Sequence, residues 1–236
     1  MPRPRAVGEL FRAAQADGWA SSLASSACAT FARHAYNSWE TLPSLFENSN
    51  SVGSALRRVV DDARLEALSD ASYVDAGLVM ALSERALART LVLPLHDTGL
   101  PITSLSPSDA ADLWTTQRRS PGELQGEFLV QAIRSVTLHL VLRDGPQLVG
   151  GVVGGSADVT NLPTGLSPAN TSTATEMAAI AGNSSRTAAR QLVRTGDESA
   201  WRRAVDQAWS VATDLVKLDP TQFQHNQRRS DPESDR

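Results

Sequence analysis

The sequence predicts a mainly α-helical, bundle-like fold with at most one small β-hairpin near residues 135–153 and a C-terminal helical segment. Four or more stretches space their apolar residues three and four apart, which is the period of a helix with one buried face. Two Ser-Pro pairs mark clear helix starts, whereas a single short segment alternates with the period of a strand. Helical periodicity therefore dominates the chain.

The first fifty residues predict two helices and a loop. Residues 7–16 and 20–36 have helical spacing, and the second stretch is rich in Ala and Ser, which permits close packing between helices. Residues 37–50 contain Pro43 and three asparagines, so we expect a loop there.

The next forty residues predict two antiparallel helices. Ser51 is a candidate N-cap, and the apolar stripe that follows comprises Val52, Ala55, Leu56, Val59, Val60 and Ala63. A second helix is predicted over 74–88, after a short turn. The run 91–101 is expected to be extended because Pro94 disfavours helical backbone at Leu93.

Helices are predicted to begin at Pro107 and Pro121. Each proline follows a serine and precedes an acidic residue three positions after that serine, which suits capping and the helix dipole. Ser120 and Glu123 form a full capping box.

Residues 135–153 are ambiguous between a hairpin and a continued helix. Leucines alternate with other residues from Val136 to Leu142, and Asp144-Gly145-Pro146 can turn the chain. A hairpin is the favoured interpretation, and continuation of the helix to Arg143 is the alternative.

The pattern divides the chain into four segments. Residues 1–153 form the helical domain, and residues 154–172, rich in Gly, Ser, Thr and Asn, form a flexible linker or loop. Residues 173–219 form the C-terminal helical segment, which opens at a Thr173-x-x-Glu176 capping box. Residues 220–236 are predicted to be a disordered tail.

The last predicted helix, over 197–218, begins at Asp197 and has the clearest amphipathic stripe in the chain. Such a stripe packs either on the protein's own core or on a partner, which could be another protein or a second copy of the chain. Tryptophan is enriched at interface hot spots, so the candidate interface residues are Trp201, Val205, Trp209 and Leu215.

Composition argues against several classes of protein. The formal net charge of −4 and a pI near 5.6 give no pull toward nucleic acid. No apolar run is long enough to span a bilayer, so no membrane partner is expected. Cys28 is the single cysteine and no secretory signal is recognisable, which predicts a cytoplasmic protein with a buried thiol. Lys217 is the sole lysine, a bias toward arginine that indicates a bacterial source with GC-rich DNA.

Motifs for chemistry are weak. Asp61, Asp62 and Glu66 could hold a divalent metal against a phosphate or diphosphate substrate, although such carboxylates usually form a solvated helix face. Glycines at 150–155 lack phosphate-loop spacing, and no hydrolase motif occurs, so we expect no cofactor.

These observations predict a non-enzymatic helical adaptor or regulatory protein that acts through protein–protein contacts. The alternative is a helical, divalent-metal-dependent enzyme that uses Asp61, Asp62 and Glu66.

Overall fold

A computed structural model describes residues 3–69, 77–96, 101–116, 119–150, 168–190 and 197–217. These residues form α-helices and short 3₁₀ turns, with no strand among them, so the predicted mainly α-helical class is confirmed. The helices are α1 (Arg3–Ala16), α2 (Trp19–Leu23), α3 (Ser26–Glu47), α4 (Val52–Ser69), α5 (Gly77–His96), α6 (Pro107–Thr116), α7 (Pro121–Gly150), α8 (Pro168–Ser184), α9 (Arg186–Ala189) and α10 (Glu198–Asp214).

The predicted helix starts at Pro107 and Pro121 are confirmed, and their caps have the expected hydrogen bonds. The Ser106 hydroxyl accepts from the Asp109 amide at 3.1 Å. At the start of α7 the Ser120 hydroxyl accepts from the Glu123 amide at 3.3 Å, and the Glu123 carboxylate accepts from the Ser120 amide at 2.6 Å. This is the reciprocal capping box that the sequence predicted.

The caps of α4 and α10 are confirmed as well. Ser51 accepts from the Ser54 amide at 3.2 Å, immediately before α4. Asp197 accepts from the Ser199 amide at 3.1 Å and begins α10. Local side-chain chemistry therefore sets these four helix starts.

The predicted loop over 37–50 is wrong for most of its length, because α3 continues to Glu47 with Pro43 inside it. Leu42 and Phe46, on either side of the proline, are both fully buried. Burial of these two side chains against the core offsets the loss of one helical hydrogen bond at Pro43.

The extended run predicted over 91–101 is wrong as far as His96, for the same reason. Residues 97–100 lie outside the described part of the chain. Helix α5 runs to His96 and includes Pro94. Leu91 and Leu95 are fully buried on the face that α5 turns toward the core. Tertiary packing again overrides the local preference before a proline.

The favoured hairpin over 135–153 is also wrong as far as Gly150, because α7 is helical from Pro121 to Gly150. Ser135, Val136 and Thr137 are consecutive and all buried, so burial is not confined to one side of the helix. A helix enclosed by its neighbours has no polar face and loses its 3.6-residue period. Apolar and other residues can then alternate along the sequence of such a helix as they do in a strand. Residues 151–153 lie outside the described part of the chain.

Helix α8 begins at Pro168, five residues before the predicted capping box. A Ser167-Pro168 pair precedes this start, as Ser-Pro pairs precede α6 and α7. The last five residues of the linker predicted over 154–172 are helical, since they belong to α8. Residues 154–167 and the predicted tail at 220–236 lie outside the described residues. The division into segments stays a prediction.

Two long helices, α3 and α7, organise the packing. Helix α3 contacts α4, α5 and α6, while α7 contacts α3, α5, α8 and α9. Helices α1 and α10 pack together beside them. The buried apolar residues of the C-terminal helices belong to the same core cluster as those of α1 to α7.

Helices α1 and α10 approach closely at a glycine. A Cβ atom on Gly8 would lie 2.5 Å from the backbone nitrogen of Val216, in the 3₁₀ turn Leu215–Lys217 that follows α10. Nearby, the rings of Phe11 and Trp209 have centroids 4.6 Å apart. The absent side chain at Gly8 lets the chain's N-terminal helix cover the tryptophan face of α10.

Candidate functional site

The four residues predicted to form an interface are buried within the chain itself. Trp201 and Val205 are fully buried, and Trp209 and Leu215 are 2% and 6% exposed. Their helix packs against α1, α2, α3, α8 and α9. The apolar stripe of α10 therefore packs on the protein's own core. Its side chains are too deeply buried to offer a surface to a partner.

Trp201 also has a polar role in this core. Its indole N–H donates to the carbonyl oxygen of Leu23 at 2.9 Å, at the end of α2. Carbonyls in the last turn of a helix lack partners within the helix, so the indole satisfies one of them. Trp209 is equally deep, but its indole nitrogen has no hydrogen-bond partner among the described residues.

The three carboxylates of the predicted metal site do not converge. Asp61 and Asp62 are exposed on α4. Glu66 instead bridges to α3, where one oxygen accepts from Arg33 and the other lies 2.7 Å from Nε2 of His34. In the part of the chain that the structure describes, no three acidic, histidine or cysteine side chains are grouped so that they could hold a metal ion.

The hydrogen bond from His34, followed by the charge of Arg33, lowers the pKa of Glu66. Because Arg33 and His34 on α3 both bind the ionised Glu66 carboxylate, this side chain connects α4 to α3. The same side chain is thereby less available to a metal ion, because the ion would have to displace these partners.

Cys28 is buried, as predicted. Its sulfur lies 3.2 Å from the hydroxyl oxygen of Ser83 on α5. Burial raises the pKa of the thiol, so the reactive thiolate is disfavoured. This cysteine is a packing residue between α3 and α5.

A basic site that the sequence did not indicate lies on α7 and its two neighbours α5 and α9. We define the arginine cluster as Arg89 on α5, Arg134 on α7 and Arg186 on α9. Arg134 and Arg186 both donate to the side-chain oxygen of Asn183, at 3.3 and 3.4 Å. Glu127 on α7 is the carboxylate of this site, and it lies 3.4 Å from Arg186.

Arg134 is the half-buried centre of the cluster. Its Nε atom is buried and has no hydrogen-bond partner among the described residues. Burial lowers the pKa of Arg134, Glu127 opposes that effect, and the neighbouring charges of Arg186 and Arg89 lower it further. These effects do not neutralise an arginine at physiological pH, so the cluster keeps more positive than negative charge.

A glycine makes room for this arginine. A Cβ atom on Gly182 of α8 would lie 2.5 Å from Cγ of Arg134 and 2.6 Å from its Nε. The arginine side chain thus lies directly over the α8 backbone, which holds it in place. Arg134 thus has one carboxylate, Glu127, and two further guanidinium groups, Arg186 and Arg89, close enough to affect its charge. Such an excess of guanidinium groups can bind carboxylate or phosphate oxygens.

The sequence does not indicate this cluster, because its arginines are 45 and 52 positions apart. Each of the three lies among ordinary helical residues, so nothing in its own sequence neighbourhood indicates that they meet. A run of charge is visible in a sequence, whereas a cluster built from three helices depends on the tertiary fold.

Comparisons with known proteins give no further identification: no family model, curated protein or solved structure matches this chain. None of the helices in the described ranges combines the length and the hydropathy that crossing a bilayer requires.

Proposed function

We propose that this protein is a non-enzymatic helical adaptor that binds an acidic segment of a protein partner at the arginine cluster. The observation that carries the proposal is geometric. Arg134 and Arg186 come from different helices and meet at Asn183, and Glu127 is the carboxylate beside them. This local excess of positive charge occurs in a chain whose net charge is −4. Arginine clusters recognise acidic and phosphorylated segments because each guanidinium can hold two oxygens at once. The cytoplasm of a bacterium, expected from the sequence, is the setting of this proposal.

The charge pattern favours a protein segment over nucleic acid. A nucleic-acid surface needs a basic face that extends along several phosphates. The arginine cluster is instead compact, and Glu127 lies within it. A short acidic segment of a few side chains matches its size and its charge.

The test uses the full chain and a fluorescein-labelled ten-residue peptide rich in Asp and Glu, followed by fluorescence anisotropy. The paired substitutions Arg89→Gln and Arg186→Gln should weaken binding at least tenfold, since they remove two guanidinium groups that can bond to carboxylates. Both arginines are exposed, so the fold should survive. Added salt should weaken binding to the unmodified protein.

The matched control is the pair Arg57→Gln and Arg58→Gln on α4, which removes the same charge from another exposed face. This control should bind the peptide normally. Equal loss in both pairs, or no binding by the unmodified protein, would overturn the proposal. Tighter binding of a short DNA duplex than of the peptide would replace it with a nucleic-acid function.

A further inference from the structure

A small cavity, partly open to solvent, lies between α5 and α7. Its volume is about 170 Å³, and its walls include Leu78 and Leu82 from α5 and Leu138 and Leu142 from α7. An apolar cavity of roughly 150 Å³ is large enough to hold one benzene molecule. The space between these helices therefore suits a single six-membered ring or a short branched chain.

One wall of the cavity carries a buried hydroxyl without a partner. Ser135 is 2% exposed, and its Oγ atom has no hydrogen-bond partner among the described residues. Hydroxyls in helices commonly donate to the carbonyl four residues earlier, as Thr137 does to Ile133 at 2.7 Å and Thr90 does to Ala86 at 2.8 Å. Ser135 makes no such bond and lines the cavity instead.

Arg85 supplies a positive charge at the same cavity. This exposed arginine lines the space together with Ser135, and it forms no ion pair with another described residue. The adjacent Glu84 is engaged elsewhere, since its carboxylate lies 3.4 Å from Arg64 on α4. The cavity thus combines leucine walls with a hydroxyl, a guanidinium and the imidazole ring of His139.

We propose that this cavity binds a small monocarboxylic acid with an apolar body of about one ring, of the benzoate class. The ring lies among the four leucines, and the carboxylate accepts hydrogen bonds from the Ser135 hydroxyl and the Arg85 guanidinium. A carboxylate is favoured over a neutral polar group because the Ser135 hydroxyl and the Arg85 guanidinium can both donate, and the guanidinium is charged.

Isothermal titration calorimetry of the full chain with benzoate tests the proposal. Benzoate should bind in the micromolar to millimolar range, and benzyl alcohol, which has the same ring without the charge, should bind at least tenfold more weakly. Arg85→Gln should weaken benzoate binding by a similar factor, and Arg57→Gln on α4 is its charge-matched control.

A second variant tests the cavity itself. Ala81 lines the cavity from α5 and is otherwise exposed, so Ala81→Leu should fill the space without disturbing the core. It should abolish benzoate binding, whereas Ala13→Leu at an exposed position of α1 should leave it unchanged. No binding by the unmodified protein, or binding that survives Ala81→Leu, would overturn the inference.

The two proposed sites fail independently. The variant with both Arg89→Gln and Arg186→Gln should lose the acidic peptide but keep benzoate, while Ala81→Leu should show the opposite pattern. Loss of both ligands in either variant would contradict the separation of the cavity from the arginine cluster.

Discussion

The hydrogen bond between α10 and α2 can be isolated by two matched substitutions, Trp201→Phe and Trp209→Phe. Both tryptophans are buried on α10, and both pack against a phenylalanine, with ring centroids 5.4 Å apart for Trp201 and Phe128 and 4.6 Å apart for Trp209 and Phe11. They differ in one respect, because Trp201 donates to a buried carbonyl and Trp209 has no partner among the described residues. The pair therefore separates hydrogen bonding from packing.

The expected magnitudes follow from that difference. Replacing the indole by a smaller ring costs about 1–2 kcal/mol at either site, a fraction of the cost of truncation to alanine. Trp201→Phe also leaves the Leu23 carbonyl without its donor, which adds about 1–3 kcal/mol. Trp209→Phe removes a buried N–H that has no described partner, so no such penalty arises. Trp201→Phe should therefore destabilise the protein by about 1–3 kcal/mol more than Trp209→Phe.

Equilibrium unfolding in guanidinium chloride, followed by far-ultraviolet circular dichroism, measures both losses without relying on tryptophan fluorescence. A difference of about 2 kcal/mol corresponds to roughly 4–8 °C in Tm for a chain of this size. Neither loss should exceed the total stability of a typical domain, about 5–15 kcal/mol, so both variants should fold. Equal losses, or a larger loss for Trp209→Phe, would refute the reasoning.

Three further predictions concern single contacts. Gly8→Ala should destabilise the protein by about 1–3 kcal/mol, because the new Cβ meets the Val216 backbone at 2.5 Å. The control Gly53→Ala, whose Cβ meets nothing within 4 Å, should be neutral or stabilising. Thermal melting compares the two variants, and a Gly8→Ala variant as stable as the unmodified protein would contradict the close approach. Ser120→Ala should lower Tm by roughly 2–4 °C through the loss of about 1 kcal/mol of capping at α7, and an unchanged Tm would mean that the cap contributes nothing. The pKa of Glu66 is lowered in the folded protein, so its contribution to stability is present above the ordinary pKa of 4.5 and is lost as pH falls through the lower folded pKa. Glu66→Gln should therefore reduce the fall in Tm between about pH 5 and pH 3. Identical profiles of Tm against pH for the two proteins would rule out a contribution of Glu66 to acid sensitivity.

Several features of this protein could be predicted from the sequence because their causes are local. The starts of α6, α7 and α10 follow from a capping side chain within three residues of the start, so they are visible in any short window. The mainly helical class follows from apolar periodicity over single helices. The stripe on α10 predicted burial, but it could not show whether the covering surface was the protein's own core or a partner.

Tertiary structure decided the rest. Pro43 and Pro94 remain inside helices because their neighbours Phe46 and Leu95 reach a core built from residues distant in sequence. Helix α7 hides its period because other helices enclose it, and this enclosure is invisible in its own residues. The arginine cluster and the cavity exist for the same reason, since each joins side chains from separate helices. A local pattern predicts where a helix begins, but the free energy of burial, which depends on the whole packed chain, decides how far the helix continues and what its faces enclose.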